Sequence, residues 1–233
     1  MVNLTVEMAQ LWASLGPPRA GRGRVVEFMC ATRGEGCSTI AREFARFAAG
    51  RASKPVWLVD LDLMAPGQHA AVSAEPGRYG VLGRPAIASP DGSCFFTVHP
   101  PGRDRQGRAV PDANYLSGQN AGGSKLWVTR FRRERLTGGQ TPHLAPSEDY
   151  WNAMRRHAEL VVVDAPSADR SQAGLAMAPL MDMTVLVVAA DGADTRAPAA
   201  LRDAIEQVGG RCAGLVFNRG QIEPPGFLKA ILP

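Results

Sequence analysis

Residues 31–39, ATRGEGCST, have the composition of a phosphate-binding turn. Glycines at 34 and 36 let the backbone bend so that successive N–H groups face one anion. Ser38 and Thr39 follow at what would be a helix start, where the helix dipole adds positive potential. The pattern for such a loop is a small residue, four others, glycine, lysine, then serine or threonine. Ala31 and Gly36 stand in register with it, but Cys37 holds the lysine position. That lysine donates to the β- and γ-phosphate oxygens and follows the charge that develops in phosphoryl transfer. Losing one charge-assisted hydrogen bond costs about 1.5–3 kcal/mol, roughly 10- to 100-fold in binding. Losing a transition-state donor costs about 10²–10³ in rate. The expectation is weak nucleotide binding without efficient transfer.

Carboxylates occur where such a loop would need them. The apolar run PVWLVDLDL (55–63) ends in Asp60 and Asp62, and ELVVVD (159–164) ends in Asp164. A Mg²⁺ ion prefers oxygen ligands, so Ser38, Asp60 and Asp164 are the candidate metal ligands. Asp60, Asp62 and Asp164 are the candidates to orient a metal or an attacking water. The backbone N–H groups of Gly34, Glu35, Gly36, Cys37, Ser38 and Thr39 would hold phosphate oxygens. A single aspartate at a strand end is as readily explained as a turn cap. Three of them behind a glycine turn favour a site.

The elements around these residues follow from periodicity. Leu4, Met8, Leu11 and Leu15 have helical spacing, and GPPRAGRGR (16–24) reads as a basic linker, so residues 1–24 form a helix and its connection. VVEFMC (25–30) reads as a buried strand. STIAREFARFAAG follows as a helix with Ile40, Phe44 and Phe47 on one face, Arg42, Glu43 and Arg46 on the other, and Gly50 as its stop. Residues 74–147 lose periodicity and read as an irregular insertion, with FFTV and KLWVTRF as possible strands. Beyond it come a helix starting at Ser147, the strands ELVVVD, TVLVVAA and CAGLVFN, the helix APAALRDAIEQV, and PPGFLKAIL as a short last helix. Near-continuous Val/Leu strands alternating with helices mean a doubly wound α/β domain over 25–233, a mostly parallel sheet with helices on both faces. Such sheets bind ligands at the carboxyl ends of their strands, where all three candidate segments converge.

With these motifs in hand, the chain resembles the ParA/MinD-type P-loop ATPases, and within them the branch of bacterial tyrosine autokinases and exopolysaccharide co-polymerase ATPases. The resemblance rests on VVEFMCATRGEGCSTIAREFA, PVWLVDLDLMAPG and the stretch from YWNAMRRHAELVVVD to VFNR. It implies ATP or ADP with Mg²⁺ as ligand, and places Asn218 and Arg219 at the adenine base. The arginine-rich middle is similar to holdfast polysaccharide biosynthesis proteins.

The chain also departs from the branch. Met64 stands where the second motif has arginine, Pro166 comes one residue early, and Thr32 stands at the signature lysine that acts across a dimer. The N-terminal oligomerisation signature is reduced to Glu7 and Gln10. The tyrosines are Tyr79, Tyr115 and Tyr150, with no C-terminal cluster to accept phosphate. The resemblance therefore implies a degenerate regulator of exopolysaccharide or holdfast synthesis, working with an inner-membrane co-polymerase of the chain-length-determinant type, and homo-oligomerisation is open. The alternatives are an active tyrosine autokinase or ATPase whose catalytic cation comes from elsewhere, such as Arg33 or Arg219, and a ParA/MinD-type positioning ATPase.

Whole-chain properties narrow the rest. With 45% apolar and 21% charged residues, 233 residues suffice for a sizeable core, which excludes wholesale disorder. No apolar run approaches the ~20 residues of a membrane span, and the N-terminus lacks the pattern of a signal peptide. The expected location is cytoplasmic, peripheral to the inner membrane through a partner. Cys30, Cys37, Cys94 and Cys212 are scattered, which argues against a disulfide framework or a zinc site. Cys37 at a helix start also raises the idea of a reactive low-pKa thiol, against the plainer reading of a tolerated small residue. The basic run KLWVTRFRRER (125–135) reads as a solvated face, and no nucleic-acid partner is expected.

Overall fold

The computed structural model describes residues 4–16, 21–191 and 196–220. Along them the strands are β1 (Arg24–Met29), β2 (Val56–Asp60), β3 (Ala86–Ile87), β4 (Phe96–His99), β5 (Leu116–Asn120), β6 (Leu126–Phe131), β7 (Thr141–Leu144), β8 (Leu160–Asp164), β9 (Met183–Ala189) and β10 (Cys212–Asn218). The helices are α1 (Thr5–Ser14), α2 (Cys37–Ala49), α3 (Gln68–Ala74), α4 (Pro76–Tyr79), α5 (Glu148–His157), α6 (Ala173–Met177) and α7 (Arg196–Gln207). The main sheet has the order β10-β9-β1-β8-β2-β6-β5-β3. Its neighbours from β10 to β6 are parallel, and β5 and β3 join antiparallel at one edge. Strands β4 and β7 form a separate antiparallel ribbon. The expected mostly parallel α/β sheet is present.

Alternation along β1 shows how both faces are covered. Val26 and Phe28 enter a core with α1, α2 and α3, while Val25 and Met29 enter a second core with α5, α6 and α7. A parallel strand buried on both faces must be apolar throughout, which is why these strands read as unbroken Val/Leu runs. The exception on β1 is Glu27, fully buried, whose carboxylate accepts the Thr184 hydroxyl at 3.0 Å.

Helix α1 uses Met8 and Leu11 to cover α2, with Trp12 against Phe44 at 6.1 Å between ring centroids. Those two leucine-face residues are therefore spent inside the chain's own core. In α2, Ile40, Phe44 and Phe47 are buried as expected, but so is Glu43, which was assigned to the polar face. It is buried because Arg46, Arg78 and the Tyr79 hydroxyl all bond it.

The structure departs from the expected elements in three further places. Strand β2 stops at Asp60 rather than running to 63, because the Asp60 carboxylate accepts the Asp62 N–H at 2.9 Å and turns the chain. Residues 74–147 hold the two possible strands, FFTV largely in β4 and KLWVTRF in β6, and depart from expectation in that β6 and β5 extend the main sheet beside β2. Most of the basic run is thus a core strand: Leu126, Val128, Thr129 and Phe131 are buried, and Arg130 pairs with Glu134. The sequence LSGQN of β5 carries no strand pattern of its own, and takes that form by pairing with β6. The short helix expected at PPGFLKAIL lies outside the described residues.

Candidate functional site

Strand β1 ends at Met29 and the chain turns through residues 30–36 into α2. Gly34 and Gly36 have φ of 93° and 89°, in the left-handed region that favours glycine. At Gly36 a Cβ atom would also come within 2.1 Å of the Asn218 amide nitrogen, so this loop and the end of β10 meet through a glycine. The turn is braced from within: Glu35 accepts the N–H of Thr32 at 2.8 Å and of Ala189 at 3.4 Å. The Asn218 amide donates to the Glu35 carbonyl at 2.8 Å, and Arg219 to the Gly34 carbonyl at 2.6 Å. The backbone N–H groups of residues 34–38 find no partner among the described residues, whereas those of Thr39 and Ile40 return to the Gly36 carbonyl. Successive free N–H groups at the start of a 13-residue helix are the physical requirement for an anion cradle.

Gly34, Gly36, Cys37, Ser38 and Thr39 line a cavity of about 450 Å³ at the carboxyl edge of the sheet, together with Asp60, Asp62, Asp164 and Ser167. The three carboxylates differ in what they have left to offer. Asp60 gives its oxygens to the N–H groups of Asp62 and Gln68, at 2.9 and 3.0 Å. Asp62 accepts the Ala65 N–H at 2.9 Å and the Arg170 guanidinium at 2.6 Å. Asp164 accepts the Gln68 amide at 2.7 Å through one oxygen, and its other oxygen is buried with no hydrogen-bond partner among the described residues. Turn capping thus describes Asp60 and part of Asp62, but not Asp164. Burial, and for Asp60 the neighbouring Asp164 charge, push both carboxyls up from the usual carboxylate range. Two buried carboxyls side by side, one with a vacant lone pair, suit a divalent cation; Asp60, Asp164 and the Ser38 hydroxyl would hold it. The donors present fit a Mg-nucleotide in the cradle and carboxylates, and fit it poorly at the lysine position.

Cys37 itself lines the cavity but is buried, and it offers neither the length nor the charge of a lysine. Its thiol lies against the Cys30 sulfur, and that contact, burial and the charge of Asp164 push it well above its usual range. The helix start does not make this thiol reactive; its surroundings keep the proton on.

Two residues at the site went unremarked in the sequence. Gln68, fully buried, donates to Asp164 and to the Ser38 carbonyl at 2.8 Å, and accepts from Arg42 at 2.9 Å. Arg170 pairs with Asp62, and both line the same cavity as the cradle. The available signal was position alone: each is a long polar residue a few positions beyond a carboxylate-ending strand, Gln68 at the start of α3 and Arg170 in the loop before α6.

A parallel sheet with a glycine turn after β1 leading into α2, and aspartates ending β2 and β8, is the fold of the P-loop nucleoside triphosphatases of ParA/MinD type. Among solved structures the chain is similar to the kinase domain of the Escherichia coli tyrosine kinase ETK, at TM-score 0.52 and 14% identity over 95% of this chain and 74% of that one. It is similar to the septum site-determining protein MinD from Pyrococcus horikoshii OT3, complexed with Mg-ADP, at TM-score 0.52 and 10% identity over 90% and 77%. A ParA family ATPase from Chlorobium tepidum TLS aligns at TM-score 0.50 and 14% identity over 86% and 75%. At identities this low the likeness shows a shared fold and nothing beyond it. No family model and no curated protein matches the chain in sequence. No helix among the described residues is long and apolar enough to cross a membrane.

Proposed function

We propose that the chain is a nucleotide-binding, kinase-like regulator of exopolysaccharide or holdfast polysaccharide synthesis, in which Mg-ATP or Mg-ADP is bound weakly and phosphoryl transfer is lost. The observation that carries this reading is the pairing of an open N–H cradle with a buried, protonated Cys37 at the lysine position. The bound nucleotide would supply a ligand-dependent conformational state, while the residues of this chain hold it: the backbone of 34–39 on the phosphates, Ser38, Asp60 and Asp164 on the metal, and Asn218 and Arg219 toward the base. The kinase-branch motifs support a partner of the inner-membrane co-polymerase class, which would bring the protein to the membrane from the cytoplasm.

The test is calorimetry with Mg-ATP and Mg-ADP on the wild type and Cys37→Lys. Restoring one charge-assisted donor is worth about 1.5–3 kcal/mol, so the lysine variant is expected to bind roughly 10- to 100-fold more tightly. Tight wild-type binding with turnover that Asp60→Ala abolishes would instead make the protein an enzyme with a displaced catalytic cation.

A further inference from the structure

Three arginines among the described residues line the 450 Å³ cavity: Arg33, Arg170 and Arg219. Arg219 is committed to the rim of the cradle, on the Gly34 carbonyl at 2.6 Å and near Asp191 at 3.6 Å. Arg33 is exposed in the turn itself. Arg170 is differently placed. It lines the cavity beside Asp62, in a segment laced to the start of the cradle by the Ala168 N–H on the Cys30 carbonyl at 3.0 Å and the Asp169 N–H on the Ala31 carbonyl at 3.1 Å. The Asp169 carboxylate returns a third bond by accepting the Arg33 N–H at 3.1 Å. These links set the distance between Arg170 and the anion cradle without fixing the guanidinium.

We propose that Arg170 is the cation that recognises the terminal phosphate of a bound nucleoside triphosphate, and that it reaches the phosphate by leaving Asp62. The inference rests on the reading of this cavity as a nucleotide site. The Arg170–Asp62 pair is 2.6 Å long but its side chains are 45% and 20% exposed, and pairs in contact with solvent contribute little. A terminal phosphate accepts the guanidinium fork as a carboxylate can, but it carries more charge, and Asp62 takes only one nitrogen of Arg170, so the exchange is favourable. Asp62 stays in place after the exchange, because its other oxygen remains on the Ala65 N–H. A triphosphate and a diphosphate would then leave different partners on Asp62, which gives the site a way to distinguish them without a lysine and without turnover.

The experiment measures Mg-ATP and Mg-ADP affinity by calorimetry for the wild type, Arg170→Gln and Arg170→Lys at one ionic strength. Arg170→Gln is expected to weaken Mg-ATP about 10- to 100-fold and Mg-ADP by much less. Arg170→Lys is expected to fall between, since it restores the charge without the fork. Equal losses on both nucleotides, or no loss on either, would overturn the assignment while leaving the nucleotide site standing. A wild type that binds neither nucleotide would overturn the reading of the site and this assignment together.

Discussion

Replacing Glu27 by glutamine should change how stability depends on pH, and the size of the change follows from where the side chain sits. Glu27 is fully buried in β1, with the Thr184 hydroxyl on one oxygen and no partner among the described residues on the other. Burial pushes its carboxyl from the ordinary 4.5 up to about 8, against the opposing effect of the Thr184 bond. Below pH 4.5 the group is protonated in both the folded and unfolded chain. Between 4.5 and 8 only the unfolded chain releases the proton, so stability falls as pH rises, by about 1.4 kcal/mol per unit. The accumulated loss at pH 7 is about 3 kcal/mol. Above 8 both states are ionised and the decline ends.

Glutamine has no proton to lose, so its stability lacks this slope. It adds an offset independent of pH, about 1–3 kcal/mol, if its amide is left unbonded at the vacant oxygen position. Urea unfolding of both proteins from pH 5 to 8 isolates the group, because every other titration is shared. The stability of Glu27→Gln minus that of wild type is expected to climb steadily with pH, toward a variant as stable as wild type or more so at pH 8. Parallel curves separated by a constant would refute the reasoning, since they would mean that Glu27 ionises alike in both states.

Glu43 should behave with the opposite sign. Burial pushes its carboxyl up, but bonds from Arg78, Tyr79 and Arg46 outweigh this and hold it below its ordinary value. Its stabilisation is therefore present above 4.5 and disappears as pH falls through the lowered folded value; Glu43→Gln is expected to cost about 2 kcal/mol at pH 7, with the gap to wild type closing in acid, as read by urea unfolding. Cys37 should resist maleimide at pH 7–8 until the chain unfolds, while half-buried Cys212 labels first. Mass spectrometry of timed samples decides this, and rapid native labelling of Cys37 would contradict the buried, protonated thiol.

What could be read from the sequence, and what could not, divides along physical lines. The strands VVEFM, LVVVD and TVLVVA announce themselves because burial on both faces demands apolar residues at nearly every position, Glu27 and Thr184 satisfying each other where the rule is broken. The glycine turn is legible because only glycine combines left-handed φ with the close approach of Asn218 at Gly36. Strand β5 was not legible, since LSGQN is held by its antiparallel partner rather than by its own preferences. Glu43 was misplaced because helical periodicity places a carboxylate on a face, while the partners that allow burial come from Arg78 and Tyr79, 35 and 36 residues away. Gln68 and Arg170 were missed for the same reason. Their importance lies in contacts made 96 and 108 residues along the chain.

Gln68 also bears on how the site accommodates Cys37 beside two buried carboxyls. Asp60 and Asp164 lie opposite one another on paired strands, and a cation between them would ordinarily relieve their repulsion. Here neutral donors take that place. The Gln68 backbone N–H satisfies Asp60, its amide satisfies one oxygen of Asp164 and the Ser38 carbonyl accepts the amide's second hydrogen. Arg42 donates to the far end of the same amide, and bonds in such a chain polarise one another, so positive charge from behind α2 strengthens the donor facing Asp164. A lysine at 37 would bring a second cation beside carboxylates that are already supplied. One Asp164 oxygen keeps no hydrogen-bond partner among the described residues, and with the open N–H groups of 34–38 it is what a metal-bound nucleotide would require of the site.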